Sequence, residues 1–305
     1  VSKIDLMKSV YYILMSFLFL FCNKPEQKTT YPIEKKDTTV SVQKHPKFST
    51  YWNTGKAEIT SYALTQSRYG QIHQGTAVNI FVTEEFLPNK QVKADYLDED
   101  NISILKLNST KKFVTGIYPY SLMTSTFTPI YTSQKAIKIS FSSQEWCGNT
   151  FVQLNNRAQF EIDFRSYFET NADKKIVLKK NILENDLWNL LRINPKKLPT
   201  GNFNSIPSFE FLALNHQKIA AYQANASLKE EGDFITYSIY YPSLKRELTI
   251  KATKEFPFTI ESWKETFTKN GKENTSEATK IKTIQTAYWN KKRVTDTKER
   301  TLLGL

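Results

Sequence analysis

Apolar and polar side chains alternate along most of this chain, which is the pattern of β-strands that bury one face. The clearest case is 136–142, where Ile137, Ile139 and Phe141 are separated by polar residues. The segment 159–168 alternates in the same way. Thr, Ile, Phe and Tyr are frequent, whereas only 9 of 305 residues are Gly. This composition also favours strands over helices.

The alternation predicts about a dozen strands separated by polar turns. They cover 56–68, 76–83, 102–107, 110–115, 117–127, 136–142, 150–154, 159–168, 208–214, 218–227, 233–241, 246–253, 258–268 and 279–289, with a loop and a short strand in 87–96. Residues 69–75 are expected to form a longer hairpin loop, and Gly116 a bulge or bend. Residues 290–305 are charged and are expected to be frayed or loosely packed.

One segment, 183–192, has the spacing of an amphipathic helix. Its apolar positions follow i, i+4, i+7 and i+8: Leu183, Leu187, Leu190 and Leu191. A single helix among strands should bury its apolar stripe against the sheet. We therefore expect a mainly β fold, with one large curved antiparallel sheet or open barrel and this internal helix. Residues 48–305 would form one β-rich domain; the alternative is two lobes divided near 171–183.

The N-terminus has the features of an exported lipoprotein. Residues 10–21 form an apolar run of 12 residues, shorter than the roughly 20 that a membrane helix needs. We interpret 1–21 as a signal peptide, Cys22 as the lipidated residue and 22–47 as a disordered tether. Because Phe21 replaces the usual small residue before the cysteine, an uncleaved N-terminal anchor is the alternative. Both interpretations place the body in the cell envelope, at the outer membrane or the periplasmic face.

The charge of the chain limits the kinds of partner it can bind, and its cysteine content limits the disulfides it can form. The formal net charge is +12, with 42 Lys and Arg against 30 Asp and Glu. The basic residues are spread along the chain without a nucleic-acid-binding motif, so we expect a basic solvated surface near anionic lipids or glycans and no nucleic-acid partner. With Cys22 lipidated, Cys147 is the only other cysteine, and no intramolecular disulfide is expected.

Five segments resemble a known group of sequences. They are YWNTGKAEITSY (51–62), RYGQIHQG (68–75), TKKFVTGIYPYS (110–121), STFTP (125–129) and QEWCG (144–148). They are similar to a family of lipoprotein-like sequences from environmental bacteria, some of which are labelled "septum formation inhibitor Maf". Maf proteins are cytosolic nucleotide pyrophosphatases with an S-x-S-P-R-R loop that this chain lacks, so that label does not fit. The resemblance implies kinship and no mechanism.

A second, looser resemblance covers the C-terminal part of the chain. The segment LENDLWNLLRINPKKLPTG (183–201) is similar to the helix and the following turn of DUF3108-like exported bacterial proteins, whose function is unknown. This resemblance implies an exported β-rich protein.

The segment 144–148 holds the sharpest candidates for chemistry. Cys147 could act as a nucleophile with His73 as its base, because a Cys–His pair activates a thiolate. The alternative is a buried small residue beside Trp146. Glu145 is a candidate for carbohydrate contact, since a neighbouring Trp face can stack on a sugar. The histidines are isolated, so we expect no metal site.

Four aromatic residues could line an apolar groove: Tyr118, Tyr120, Phe127 and Trp146. Aromatic residues also fill the interiors of barrels, which is the alternative role. No phosphate-binding loop, G-x-S-x-G elbow or dinucleotide fingerprint is present, and no cofactor is expected.

These observations favour a membrane-anchored, non-enzymatic binder of a lipid or other apolar ligand. One alternative is an exported hydrolase or transferase that uses Glu145, His73 or Cys147. The other is a structural or assembly protein of the envelope, for which a large exposed apolar patch would be the mark.

Overall fold

The computed structural model describes residues 44–132 and 135–305. This part of the chain contains sixteen strands, four α-helices and five short 3-10 helices. The strands are β1 Ala57–Arg68, β2 Gln71–Leu87, β3 Val92–Lys93, β4 Ile102–Thr115, β5 Tyr118–Pro129, β6 Lys138–Glu145, β7 Gly148–Asn156, β8 Phe160–Ser166, β9 Lys174–Leu178, β10 Ile182–Leu183, β11 Gly201–Ile206, β12 Tyr222–Glu231, β13 Phe234–Tyr241, β14 Arg246–Thr253, β15 Ile260–Lys269 and β16 Lys272–Thr286. The α-helices are α1 Phe48–Trp52, α2 Glu184–Ile193, α3 Phe209–Leu214 and α4 Lys298–Leu302. The 3-10 helices are Glu169–Asn171, Pro195–Lys197, Pro242–Leu244, Tyr288–Asn290 and Val294–Thr297.

All described strands belong to one sheet. Its order is β10-β11-β12-β13-β14-β15-β16-β1-β2-β4-β5-β6-β7-β8-β9, and β3 pairs with β2 outside this path. The neighbouring strands run antiparallel, except that β10 pairs with β11 in parallel. The end strands β9 and β10 do not pair with each other, so the sheet is not closed. The prediction of a mainly β fold with one large open sheet is confirmed.

Helix α2 shows how strongly the sheet curves. Its Glu184 binds Arg246 on β14, and its Asp186 binds Thr128 on β5. Six inter-strand steps separate β14 from β5, which would amount to roughly 29 Å in a flat sheet. Two residues that lie within one turn of a helix can contact both strands only if the sheet curves around the helix. The helix is therefore internal, as the sequence predicts.

Both faces of α2 are buried. The predicted apolar positions Leu183, Leu187 and Leu191 are buried. Four polar side chains are buried as well: Glu184, Asp186, Asn189 and Arg192. Because buried charges and amides need partners, these side chains determine which strands the helix contacts.

Arg192 forms a buried bidentate ion pair with Glu58 on β1. Both N–O distances are 2.6 Å. The Nε of Arg192 also donates to the carbonyl oxygen of Pro257 at 2.9 Å, and the Tyr51 hydroxyl donates to Glu58 at 2.5 Å. Burial acts to raise the pKa of Glu58, but the Arg192 charge together with the hydrogen bonds from Arg192 and Tyr51 outweighs burial and holds that pKa below its usual value. The carboxylate is therefore ionised inside the protein.

A second buried ion pair fastens the start of α2. Arg246 donates to the two carboxylate oxygens of Glu184 at 2.6 and 2.8 Å, and its Nε donates to Glu265 at 2.6 Å. The guanidinium lies 4.3 Å from the centre of the Phe211 ring, which is a cation–π contact. The two ion pairs thus connect opposite ends of α2 to β1 and β14.

Asp186 is a buried carboxyl group without a salt bridge among the described residues. It accepts hydrogen bonds from the Thr128 hydroxyl at 2.5 Å and from the Ala136 backbone N–H at 2.9 Å. Burial raises the pKa of Asp186 to about 6, although these two hydrogen bonds act to lower it. The group therefore titrates near neutral pH in the folded protein.

Replacement of Asp186 by Asn should change how stability depends on pH. The folded-state pKa of about 6 lies above the ordinary value of 3.8, so the folded protein binds this proton more tightly than the unfolded chain does. The contribution of the carboxyl group is then fully present below about pH 4 and is lost as the pH rises through 6. We expect the difference in unfolding free energy between wild type and Asp186→Asn to fall by about 2 kcal/mol from about pH 4 to 7. Urea titrations across this range measure it, and a constant difference would contradict the assignment.

The structure differs from the sequence prediction at several elements. Residues 208–214, predicted as a strand, form α3, because the Ser208 hydroxyl accepts a hydrogen bond from the Phe211 N–H and caps a helix. The predicted loop 69–75 belongs mostly to β2, and only Tyr69 and Gly70 form the turn. Gly116 lies in the β4–β5 turn and not in a strand bend. Strands β9 and β11 were not predicted.

The C-terminal segment is mostly exposed, but its last residues pack on the sheet. Leu303 is buried with Ala57, Ile59 and Val82. In the alternating strand β2, Phe81 faces the main core and Val82 faces this smaller cluster. The exposure of 290–302 agrees with the predicted loose packing, whereas the burial of Leu303 was missed because the prediction weighed only the charges.

The end of the predicted tether also belongs to the folded body. The His45 ring stacks on Phe256 with 4.5 Å between ring centres, and Phe48 and Trp52 are buried in the core. The predicted signal peptide 1–21, the lipidation site Cys22 and most of the tether lie outside the described residues. No described helix has the length and apolarity needed to span a membrane.

Candidate functional site

Four tight turns lie along one edge of the sheet, which we call the hairpin edge. They connect β1 to β2, β4 to β5, β6 to β7 and β15 to β16. Each loop has two residues, as shown by the closing pairs Arg68–Gln71, Thr115–Tyr118, Glu145–Gly148 and Lys269–Lys272. Positive φ angles at Tyr69 (54°) and Asn270 (52°), each followed by a Gly with positive φ, match the turn type that such short hairpins require.

A cavity of about 480 Å³ opens between two of these turns and α3. Its size lies within the range of small-molecule sites. The wall combines basic, acidic and apolar side chains: Arg68, Lys269, Lys272 and His216; Glu210 and Glu265; Tyr69, Phe211, Leu214 and Phe267. We call it the basic cavity.

The net charge of the basic cavity is positive. Glu210 forms an ion pair with Lys111 at 2.6 Å, whereas Glu265 shares Arg246 with Glu184, each at 2.6 Å. In contrast, no carboxylate of the described residues forms an ion pair with Arg68, Lys269 or Lys272. The charges of these three side chains are therefore not balanced by an ion pair, although Arg68 and Lys272 donate hydrogen bonds to neutral oxygens.

The positive charges of the basic cavity affect the pKa of His216. Burial lowers the pKa of its imidazole first, and the charges of Lys269 and Arg68 lower it further. The ring is therefore neutral at pH 7 and can donate or accept a hydrogen bond. In the structure it is hydrogen-bonded to the Asn171 side-chain amide at 2.7 Å.

Arg68 holds the centre of the wall. Its Nη1 donates to the Leu214 carbonyl at 2.8 Å, and its guanidinium lies 4.5 Å from the centre of the Tyr69 ring. Arg68 Nε and the Oε1 of the neighbouring Gln66 are buried without a hydrogen-bond partner. Such unpaired buried groups are unusual in proteins, so the wall keeps hydrogen-bonding capacity that the chain itself does not use.

A smaller cavity of about 50 Å³ adjoins the basic cavity and shares Glu210 and Glu265 with it. It extends toward α2, where Glu184, Asn185 and Trp188 line it. The ion pairs of Arg246 and Lys111 thus lie where the two cavities adjoin.

Three of the predicted ligand-binding aromatics meet beside the basic cavity. The Tyr69 and Tyr120 hydroxyls are 2.7 Å apart, and the Tyr118 hydroxyl donates to Tyr69 at 3.4 Å. The Trp146 ring lies 6.4 Å from the Tyr118 ring. Tyr120 is buried and acts as a supporting wall, whereas Trp146 is exposed. The fourth residue, Phe127, packs on Phe86 at 5.6 Å, away from this group, so its place in the predicted groove is not supported.

The predicted Cys147–His73 pair is not formed. His73 lies on β2, where its Nε2 is 3.2 Å from the Arg68 carbonyl oxygen, and Cys147 lies in the β6–β7 turn. Strands β4 and β5 separate them, a distance of roughly 14 Å.

Cys147 is exposed, so the alternative of a buried small residue is wrong too. The Cys147 N–H donates to Glu145 at 2.7 Å. Hydrogen bonding of the thiol to Glu145 raises the pKa of Cys147, which disfavours the thiolate that a nucleophile needs. Among the described residues, no group of three or more His, Cys, Asp or Glu side chains could hold a metal ion.

Comparisons with known proteins give no family. No family model and no curated protein matches the sequence. One similar solved structure is a β-barrel-like protein of the domain of unknown function DUF1849 from Brucella abortus. The TM-score is 0.43 at 8% sequence identity, with 75% of this chain and 97% of that chain covered. At this level, the similarity has no bearing on the function of the chain.

Proposed function

We propose that this protein is a non-enzymatic binding protein of the cell envelope, held at a membrane through Cys22, and that its basic cavity binds the anionic group of an amphipathic ligand. The observation that carries the proposal is the unpaired positive charge of Arg68, Lys269 and Lys272 in a cavity of about 480 Å³. A phosphate or carboxylate group on an apolar chain has the matching chemistry.

The anionic part of the ligand follows from the charge balance. The acidic side chains of the wall already have partners, so the basic side chains would attract a negative group. Arg68 presents a planar guanidinium suited to phosphate or carboxylate oxygens, and the two lysines can adjust as point charges.

The apolar part of the ligand follows from the rest of the wall. Phe211, Leu214 and Phe267 line the basic cavity, and Tyr69 leads from it to Tyr118 and Trp146. The concave face of the sheet is occupied by α2, so the site for an apolar group lies at the hairpin edge and not inside the sheet.

No observation favours the enzymatic alternative. Glu145 is engaged with the Cys147 backbone, and His73 lies on a different strand pair. The basic cavity contains no nucleophile with an adjacent base among its described wall residues. Binding therefore accounts for the site with fewer assumptions than catalysis does.

Isothermal titration of the full chain carrying Cys22→Ser, which prevents lipidation, tests the proposal with three probes. We expect hexyl phosphate to bind, inorganic phosphate to bind more weakly, and neutral hexyl glucoside not to bind. The difference in affinity between the two phosphates measures the contribution of the hexyl group, since each buried methylene contributes about 0.8 kcal/mol. Equal binding of hexyl phosphate and hexyl glucoside, or of neither, would refute the anion site. Equal binding of the two phosphates would identify a free anion as the ligand.

A further inference from the structure

Five large apolar side chains are exposed in the turns of the hairpin edge or next to them. Tyr69 is 62% exposed, Ile72 56%, Ile117 81%, Trp146 69% and Tyr167 79%. Two-residue hairpin turns ordinarily carry Gly, Asn or Asp. Here Ile117 and Trp146 occupy turn positions themselves, where they contribute little to the core. We call these five residues the turn surface.

Three residues of the turn surface, Tyr69, Trp146 and Tyr167, form a row, with Tyr118 between the first two. Tyr69 and Tyr118 are hydrogen-bonded, and the Tyr118 and Trp146 rings are 6.4 Å apart. Tyr167 closes the row by lying against Gly148, where an added Cβ would be only 3.1 Å from the Tyr167 Cβ. Gly148 therefore lets the Tyr167 ring pack close to the tip that carries Trp146. Contiguous exposed apolar residues of this kind mark interaction sites.

The chemistry of the turn surface fits a lipid bilayer. Trp and Tyr are the residues enriched at membrane interfaces. The neighbouring β15–β16 turn carries Lys269 and Lys272, and Lys245 precedes β14 at the same edge. Lysines can bind the anionic head groups of a bilayer, while the apolar and aromatic side chains beside them enter its acyl region.

We propose that the turn surface inserts into the interface of an anionic lipid bilayer. This inference rests on the proposed function, because Tyr69 belongs both to the turn surface and to the wall of the basic cavity, so that a membrane-borne anionic head group would reach Arg68 directly. The bilayer is then the source of the ligand.

Cys147 supplies a direct test, since it lies exposed in the β6–β7 turn and is the only cysteine of a Cys22→Ser chain. A nitrobenzoxadiazole label on Cys147 is followed with phosphatidylglycerol–phosphatidylcholine vesicles. We expect a blue shift, quenching by spin-labelled lipid chains and protection from aqueous iodide. The effects should weaken with phosphatidylcholine alone. A matched chain with Cys22→Ser, Cys147→Ser and Val294→Cys, labelled at position 294, should stay accessible to iodide.

Substitutions give the second measurement. Ile117→Asn combined with Trp146→Ser should weaken the lipid quenching about tenfold without changing the thermal melting. The control Leu97→Asn removes an equally exposed apolar side chain (86%) from the β3–β4 connection and should have no effect. Because the label measures the depth of the β6–β7 turn in the bilayer, the result does not depend on how the N-terminus is attached to the membrane.

The outcomes separate this inference from the proposed function. If the label at Cys147 stays accessible to iodide on vesicles, membrane insertion is refuted. A turn surface that contacts a protein and not a bilayer would give this result. Binding of hexyl phosphate in that case leaves the anion site intact. Conversely, lipid quenching at Cys147 without binding of hexyl phosphate would refute the proposed ligand and leave the membrane contact.

Discussion

Replacement of Arg192 by Met is expected to lower the free energy of unfolding by about 3–5 kcal/mol. The guanidinium forms a buried bidentate pair with Glu58, with both distances at 2.6 Å, and a further hydrogen bond to Pro257. The variant keeps most of the side-chain volume but leaves the Glu58 carboxylate buried without its counter-charge. Urea denaturation followed by far-ultraviolet circular dichroism measures the change.

Two further variants show that the loss comes from the buried charge. Arg165→Met removes an exposed ion pair with Asp173 and should leave the denaturation midpoint unchanged, since such pairs contribute little. Glu58→Gln combined with Arg192→Met should be more stable than Arg192→Met alone, because the lone charge is gone. A single-variant loss below about 1 kcal/mol would mean that α2 is not held in the sheet by this pair.

Replacement of Arg68 by Gln is expected to lower the affinity for hexyl phosphate about 10- to 100-fold. A hydrogen bond to a charged group contributes about 1.5–3 kcal/mol, and Arg68 has no compensating carboxylate among the described residues. The affinity of Arg68→Lys for hexyl phosphate should lie between those of wild type and Arg68→Gln, because the charge remains while the planar geometry is lost. Isothermal titration on the Cys22→Ser background measures each affinity.

The controls for Arg68 address charge and folding. Lys90→Gln removes an exposed positive charge at the opposite edge of the sheet and should leave the affinity unchanged. Because Arg68 also binds the Leu214 carbonyl, the pair Lys269→Gln and Lys272→Gln serves as a second variant with exposed side chains and should also lower the affinity. Unchanged affinity in both the Arg68 and the lysine variants would rule out the basic cavity as the anion site.

Periodicity predicted the strands and α2 well, because one buried face imposes a regular pattern. The alternating residues Ile137, Ile139 and Phe141 are all buried. The helix predicted at 183–192 spans Glu184–Ile193. Its burial on both sides was not predictable, since the partners of Arg192 and Glu184 lie on β1 and β14, far away along the chain.

The candidate site was predictable only in part. The aromatics Tyr118 and Trp146 were selected from local composition, and they do meet. The basic cavity depends on Arg68 and Lys269, which become neighbours only because β16 pairs with β1. A local pattern carries no information about such pairing. Cys147 was predicted as a nucleophile because cysteine is rare in this chain. In the β6–β7 turn, it is separated by β4 and β5 from its predicted base His73.

A crystal structure of the protein with bound hexyl phosphate tests the central claim most directly. The account predicts electron density for the phosphate in the basic cavity, within hydrogen-bonding distance of Arg68 and at least one of Lys269 and Lys272. The hexyl chain should run along Tyr69 toward Tyr118. Phosphate density at another surface, or an unoccupied basic cavity at saturating ligand, would contradict the account.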